Sequence, residues 1–209
     1  MGRLEGKIAV ITGGGDGMGA SHCRLFSKEG ASLLVTDRRE EPGQKIVDEI
    51  VSGGGKAVFV GQDVANEDDW KKVAAATMEH YGKADILINN AAIASFKSAK
   101  DATLDEWNLI MDVCAKSIFL GCKYMLPAMQ AAGGGSIVNI SPTKTHPRSA
   151  TMIRTGPMSR TLRLAIESLR TKSTCFPSIT IVISFPVSIL ILFSILDLCI
   201  PTIQPVGIG

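Results

Sequence analysis

No CxxC pair occurs among the five cysteines of this 209-residue chain, which excludes a zinc ribbon and a disulfide scaffold. Thiols this sparse fit a reduced protein of the cytoplasm. An excess of one charge is also missing: 22 Lys+Arg against 20 Asp+Glu leave a formal +2. That balance gives no electrostatic case for nucleic acid or an anionic surface. Met1 to Lys7 carries Arg3, Glu5 and Lys7, so no apolar signal region starts there. His22, His80 and His146 are scattered and make no metal-ligand pattern; ordinary helix or surface histidines are the expected reading. Charge itself then vanishes, since Asp197 is the only charged residue from Ser173 to Gly209. The length suits one domain with a substantial core, but the composition divides it into residues 1–170 and an apolar tail, 171–209.

Short apolar runs alternate with amphipathic stretches through the first part, as in a parallel sheet covered by helices on both faces. Strands are predicted at Lys7–Ile11, Ala31–Thr36, Ala57–Val60, Asp85–Asn89 and Ser136–Ile140. A helix is expected from about Gly17 to Glu29, ended by Gly30, and a second one has Pro42 in its first turn and Gly53 at its end. Asn66 reads as the N-cap of a third, whose apolar side shows Trp70, Val73, Thr77 and Tyr81. Thr103 and Glu106 form a capping box opening a long helical region to about Gln130. The expected fold is α/β: a Rossmann-type, doubly wound parallel sheet whose C-terminal part is incomplete.

Between the first strand and first helix lies Thr12-Gly-Gly-Gly-Asp-Gly-Met-Gly19. Glycines let a backbone turn sharply and approach a pyrophosphate, while the helix N-terminus presents free amides and its positive dipole end. Asp37 stands 18 residues beyond Gly19, at the end of the second strand. A carboxylate there accepts hydrogen bonds from an adenosine ribose and repels a 2′-phosphate, which favours NAD over NADP; Arg38 and Arg39 pull the other way, since either pairs with a phosphate.

In these residues the sequence resembles the short-chain dehydrogenase/reductase family, over roughly residues 3–141. Thr12-Gly13-x-x-x-Gly17-x-Gly19 matches the family's TGxxxGxG, and Asp63-Val64 stands where the family contacts adenine. Asn89-Asn90-Ala91-Ala92 is similar to its NNAG motif, with Ala92 in place of the glycine, and Gly135–Ser141 resembles its fifth strand. The resemblance implies an NAD-binding oxidoreductase acting on a secondary alcohol or ketone. Its cofactor residues would be Thr12, Gly13, Asp16, Gly17, Met18, Gly19, Asp37, Asp63, Val64, Asn90 and Ala91. The family commonly assembles through its long central helices, here residues 114–130, which implies a homo- or hetero-oligomer.

The family's catalytic groups do not carry over. Cys114 stands at the asparagine, Pro142 at the serine, with Ser141 beside it, and Thr155 and Ser159 near the tyrosine and lysine. No YxxxK exists anywhere: four residues after Tyr81 is Asp85, and four after Tyr124 is Ala128. Neither Asp112, Lys144 nor His146 makes a credible replacement base. Cys114 and Cys122, eight apart on a predicted helix, point to core packing rather than a redox pair. No catalytic residue is therefore assigned, and the expected protein binds NAD but is weakly active or inactive. An oxidoreductase using unorthodox groups such as Ser141, a non-catalytic partner of full-length relatives, and a chain that fails to fold stably are the alternatives.

Beyond a short amphipathic helix expected at Thr161–Arg170, three readings compete for the tail. A truncated or frame-shifted end foreign to the family is preferred. A sixth strand at Ser178–Ser184 comes second, on its β-branched residues. A membrane span over Ser173–Leu196, flanked by Arg170 and Lys172, comes third, because Pro177 and Pro186 interrupt it.

Overall fold

The computed structural model describes residues 2–95, 97, 98 and 100–140, and the backbone of 150–155 and 179–184. Strands β1 (Ile8–Thr12), β2 (Ser32–Asp37), β3 (Lys56–Gly61), β4 (Ile86–Asn89) and β5 (Gly135–Ile140) alternate with helices α1 (Gly17–Lys28), α2 (Glu40–Ser52), α3 (Glu67–Tyr81), α4 (Leu104–Met111) and α5 (Ser117–Ala131). All of the predicted strands and helices of this region form, with ends moved by a residue or two. The caps are where expected. The Asn66 side chain accepts from the Asp68 amide at 2.8 Å, and Thr103 and Glu106 close both hydrogen bonds of a capping box.

The sheet runs β3-β2-β1-β4-β5 in parallel. Alternation along β1 divides the core. Ala9 and Ile11 face α1 and α2, packing with Cys23, Phe26, Leu33, Val35 and Ile50. Val10 faces α3 and α5, packing with Leu34, Trp70, Val73, Met125 and Met129. Both clusters are buried, so β1 and β4 read as continuous apolar runs, as a sheet covered on both faces requires.

The long helical region, expected with room for an interruption, has one: a π turn, Asp112–Lys116, separates α4 from α5. One difference from expectation concerns the second half: the sheet continues past β5. Strand β6 (Ala150–Thr155), which the sequence reading did not anticipate, pairs antiparallel with β5. Thr155, expected near the position of the family's tyrosine, thus ends a strand. The second of the three readings of the tail, a strand at Ser178–Ser184, matches β7 (Ile179–Ser184), parallel to β6. The helix expected at Thr161–Arg170 and residues Ser141, Pro142, Lys144, His146 and Ser159 lie outside the described residues. Among the described residues no helix is long and apolar enough to cross a membrane.

Candidate functional site

Strand order reverses at β1: β2 lies on one side of it and β4 on the other. Such a switch point opens a crevice at the carboxyl ends of the strands, where ligands bind in this architecture. The glycine loop, Gly13–Asp16, leaves β1 at that point and enters α1 with Asp16 as its N-cap.

Two glycines are demanded by this geometry. Gly13 has φ +63°, and a Cβ on it would stand 3.0 Å from the Ala91 Cα. A Cβ on Gly19 would fall 1.9 Å from the Gly13 carbonyl oxygen and 2.8 Å from Asn90 Nδ2. The first turn of α1 therefore sits directly on the loop, leaving backbone rather than side chain at its surface. Backbone laid open in this way at a helix N-terminus is suited to an anion, and a Cβ would obstruct it.

Thr12 and Asn90 brace this loop. The Thr12 hydroxyl donates to the Ile88 carbonyl at 3.3 Å and accepts from the amides of Asn90 and Ala91 at 3.0 and 3.1 Å. Asn90 Nδ2 donates to the carbonyl oxygens of Thr12 at 2.9 Å and Gly13 at 3.2 Å. Loop and β4 end are thus one hydrogen-bonded unit. One layer below, Asn89 Nδ2 donates to Asn139 Oδ1 at 2.7 Å, tying β4 to β5.

Asp37 is buried at the end of β2, only 8% exposed. Its Oδ2 accepts from the Gly15 amide at 3.1 Å, and its Oδ1 from the Arg39 amide at 2.9 Å. Gly15, which the sequence reading passed over, is the residue that joins the acidic side chain to the loop. Its missing Cβ is again required, since one would lie 2.9 Å from Asp37 Oδ2. Asp63 and Val64 follow β3, linked to this group by the Gln62 amide, which donates to the Asp37 carbonyl at 3.0 Å. The Asp63 carboxylate accepts from the Ala65 amide at 2.9 Å, and the Val64 carbonyl from the Trp70 indole at 2.8 Å. Met18 packs against the core cluster under α1. Beside the loop, between α1 and α2, a cavity of about 580 Å³ is lined by Gly15, Asp16, Gly17, Arg24, Glu41 and Lys45 among others; its mixed charges make no single-sign site.

The catalytic side is different in kind. Cys114 sits in the π turn and its thiol donates to the Ile93 carbonyl at 3.3 Å. Burial pushes that thiol up. A thiol held protonated and donating is no general base. Cys122 packs against the core as expected, with burial raising it to about 11; Cys114 is half-buried and hydrogen-bonded instead. Both tyrosines are engaged elsewhere: Tyr81 Oη donates to the Leu33 carbonyl at 2.8 Å, and Tyr124 Oη to Glu67. Of the histidines expected to be ordinary, His22 is deeply buried in α1 and desolvation lowers it to about 4, so it is neutral and remote from acid–base work at neutral pH.

Comparison with known proteins places these features in context. The family model described as short chain dehydrogenase matches residues 7–153. Cyclopentanol dehydrogenase of Comamonas sp. (strain NCIMB 9872) is 39% identical over 141 residues, covering 68% of this chain and 56% of the relative. An uncharacterized oxidoreductase of Thermotoga maritima is 36% identical over 174 residues, covering 80% and 67%. A 3-alpha-(or 20-beta)-hydroxysteroid dehydrogenase of Mycobacterium bovis is 37% identical over 140 residues, covering 67% and 53%. Among solved structures, a short-chain dehydrogenase/reductase of Burkholderia xenovorans superposes with a TM-score of 0.63 at 30% identity, covering 66% of this chain and 56% of that one. The chain spans just over half the length of most of these relatives.

Proposed function

This chain belongs to the short-chain dehydrogenase family, and from that premise we propose that it binds a nicotinamide dinucleotide, NAD in preference to NADP, while turning over alcohols weakly or not at all. When bound, the nicotinamide supplies the hydride acceptor or donor for a secondary alcohol or ketone. The residues of this chain supply the holding. Gly13, Gly17 and Gly19 open the backbone to the diphosphate, and the amides at the α1 N-terminus face it. Thr12 and Asn90 keep the loop in shape, Asp37 receives the adenosine ribose, and Asp63, Val64 and Ala91 border the adenine side.

The observation that carries this reading is the bond from the Gly15 amide to Asp37 Oδ2. It locks the ribose-accepting carboxylate and the phosphate cradle into one preorganised unit, so little ordering remains to be done on binding. The preference for NAD rests on the same buried carboxylate, because a 2′-phosphate beside Asp37 meets like charge in a poorly solvated place. Weak turnover rests on the sequence, which contains no YxxxK, and on the protonated, donating thiol of Cys114. Titration of the folded chain with NADH, followed by fluorescence, tests the first part; saturation is expected, and a folded preparation that does not bind refutes it. A panel of secondary alcohols with NAD, ring alcohols such as cyclopentanol first, tests the second; rapid turnover abolished by Asp37→Ala refutes it.

A non-catalytic role in assembly is the second reading. Trp107, Leu109 and Met111 of α4 and Phe119 of α5 are exposed, from 42% to 54%. Exposed apolar side chains of this kind beside residues 114–130 suit contact with another copy or with a full-length relative. Co-purification with such a relative supports it, and strictly monomeric behaviour at all concentrations counts against it.

A further inference from the structure

Resting on the dinucleotide reading above, we propose that Trp70 is a positioning residue: its indole aims the Val64 amide and so sets a preference for adenine over a purine of reversed hydrogen-bond pattern. The segment Asp63–Ala65 follows β3 and is held by the first turns of α3. The Asp63 amide donates to Asp69 Oδ2 at 2.9 Å, and the Asp63 carbonyl accepts from the Asn66 amide at 3.0 Å. Asp63 Oδ1 accepts from the Ala65 amide at 2.9 Å, and the Val64 carbonyl from Trp70 Nε1 at 2.8 Å. Two polar groups of Asp63 and Val64 are left over among the described residues: the Val64 amide donates to nothing, and Asp63 Oδ2 accepts nothing.

Val64 is only 7% exposed, and an unpaired amide in so buried a residue calls for a partner from outside the chain. A donor beside a carboxylate acceptor complements the edge of adenine, where ring N1 accepts and the 6-amino group donates. Hypoxanthine reverses both, with N1–H a donor and O6 an acceptor. The direction of the Val64 amide follows from the peptide planes on either side of it, one anchored through the Asp63 carbonyl to Asn66, the other through the Val64 carbonyl to Trp70. Asn66 is exposed to water and Trp70 is fully shielded from it, so the indole is the firmer anchor. The ring has one seat. It packs in the cluster with Val10, Leu34 and Leu120, and a Cβ on Gly121 of α5 would lie 2.8 Å from Trp70 Cη2. The benzo edge thus stands against the main chain of α5 while the pyrrole N–H meets Val64.

The test titrates the full chain with NADH and with reduced nicotinamide hypoxanthine dinucleotide, following nicotinamide fluorescence, for the wild type, Trp70→Phe and Val73→Ala. Phe keeps an aromatic ring in the core and loses the N–H, whereas Val73→Ala removes volume from the same cluster and no hydrogen bond. The wild type is expected to bind NADH about tenfold more tightly than the hypoxanthine analogue, and Trp70→Phe to narrow that ratio to about threefold or less through weaker NADH binding. Val73→Ala is expected to lower the urea midpoint and keep the wild-type ratio, which separates aiming from packing. A tryptophan analogue with sulfur in place of the N–H, introduced at Trp70, keeps the ring's shape and serves if the Phe variant does not fold. Equal affinity of the wild type for the two dinucleotides, a ratio that Trp70→Phe leaves unchanged, or the same narrowing in Val73→Ala overturns the proposal. A folded wild type that binds neither dinucleotide refutes the dinucleotide reading itself, and the proposal with it.

Discussion

Replacing Gly19 by alanine sets a methyl carbon 1.9 Å from the Gly13 carbonyl oxygen, where ordinary contact begins at 3.4 Å. About 1.5 Å of separation has to be found, and neither partner yields easily. Gly13 is backed by Ala91, whose Cα would already lie 3.0 Å from a Gly13 Cβ, and its carbonyl is fixed by Asn90 Nδ2 at 3.2 Å. On the other side, α1 is seated on the sheet by Cys23 and Phe26, which are 0% and 2% exposed. Forcing extra volume into a packed contact costs about 1–3 kcal/mol, and this one falls on main chain rather than on a flexible side chain. The displaced groups are the amides that would face the diphosphate, so affinity suffers along with stability. At about 1.4 kcal/mol per tenfold, NADH binding is expected to weaken at least about tenfold. The urea midpoint is expected to drop with little change in the slope of unfolding. Gly61→Ala is the control: a Cβ there meets nothing within 4 Å and its φ is not positive, so stability is held or slightly raised. Gly19→Ala with wild-type midpoint and wild-type NADH affinity refutes the view that α1 rests on the loop this closely.

Acidification probes His22. Its folded value of about 4 lies below the ordinary 6.5, so the neutral form is the one the fold accepts. Stability is complete above about pH 6.5 and falls as the pH drops from there towards 4, by up to ~3 kcal/mol; urea melts at pH 7.5 and 4.5 measure it, and His22→Leu is expected to flatten the difference. Burial alone would raise Asp85, but Lys83, the Ile8 amide and Lys7 together hold it below the usual carboxylate range. Its contribution is present above the ordinary carboxylate value and is lost below it, and Asp85→Asn is expected to lower stability by about 1–3 kcal/mol at pH 7, read from the same melts. Thr103→Ala opens the capping box and should weaken α4 by about 1 kcal/mol, seen as faster amide exchange confined to Leu104–Met111.

What the sequence made legible was local. Asn66, Thr103 and Glu106 announce helix starts because a capping side chain acts on amides two or three positions away, and the continuous apolar runs of β1 and β4 follow from burial on both faces. The glycine loop was legible for the same reason, since Gly13, Gly17 and Gly19 lie close together at the join of β1 and α1. Contacts between distant positions were not. Nothing near Asp37 in sequence foretells the Gly15 amide. The bracing by Thr12 and Asn90 was not legible because their partners, Ile88 and Gly13, are fixed by the pairing of β1 with β4. Strand β6 escaped notice because Ala150–Thr155 shows no clean period of its own, and its antiparallel register is dictated by β5.

The π turn at Asp112–Lys116 has a geometric consequence for the surface. An α-helix advances about 100° per residue, and a π turn adopts a wider winding that accommodates one more residue. The stripe of α5 that sinks into the sheet, with Leu120, Met125 and Met129, therefore does not continue in phase into α4, where no residue is buried. Rewinding this turn as α-helix with no residue removed would rotate α4 by about 100° about its axis, moving Trp107 and Met111 to another bearing. The direction in which the protein presents these two exposed side chains is thus set by the winding between two helices, independently of which side chains they are.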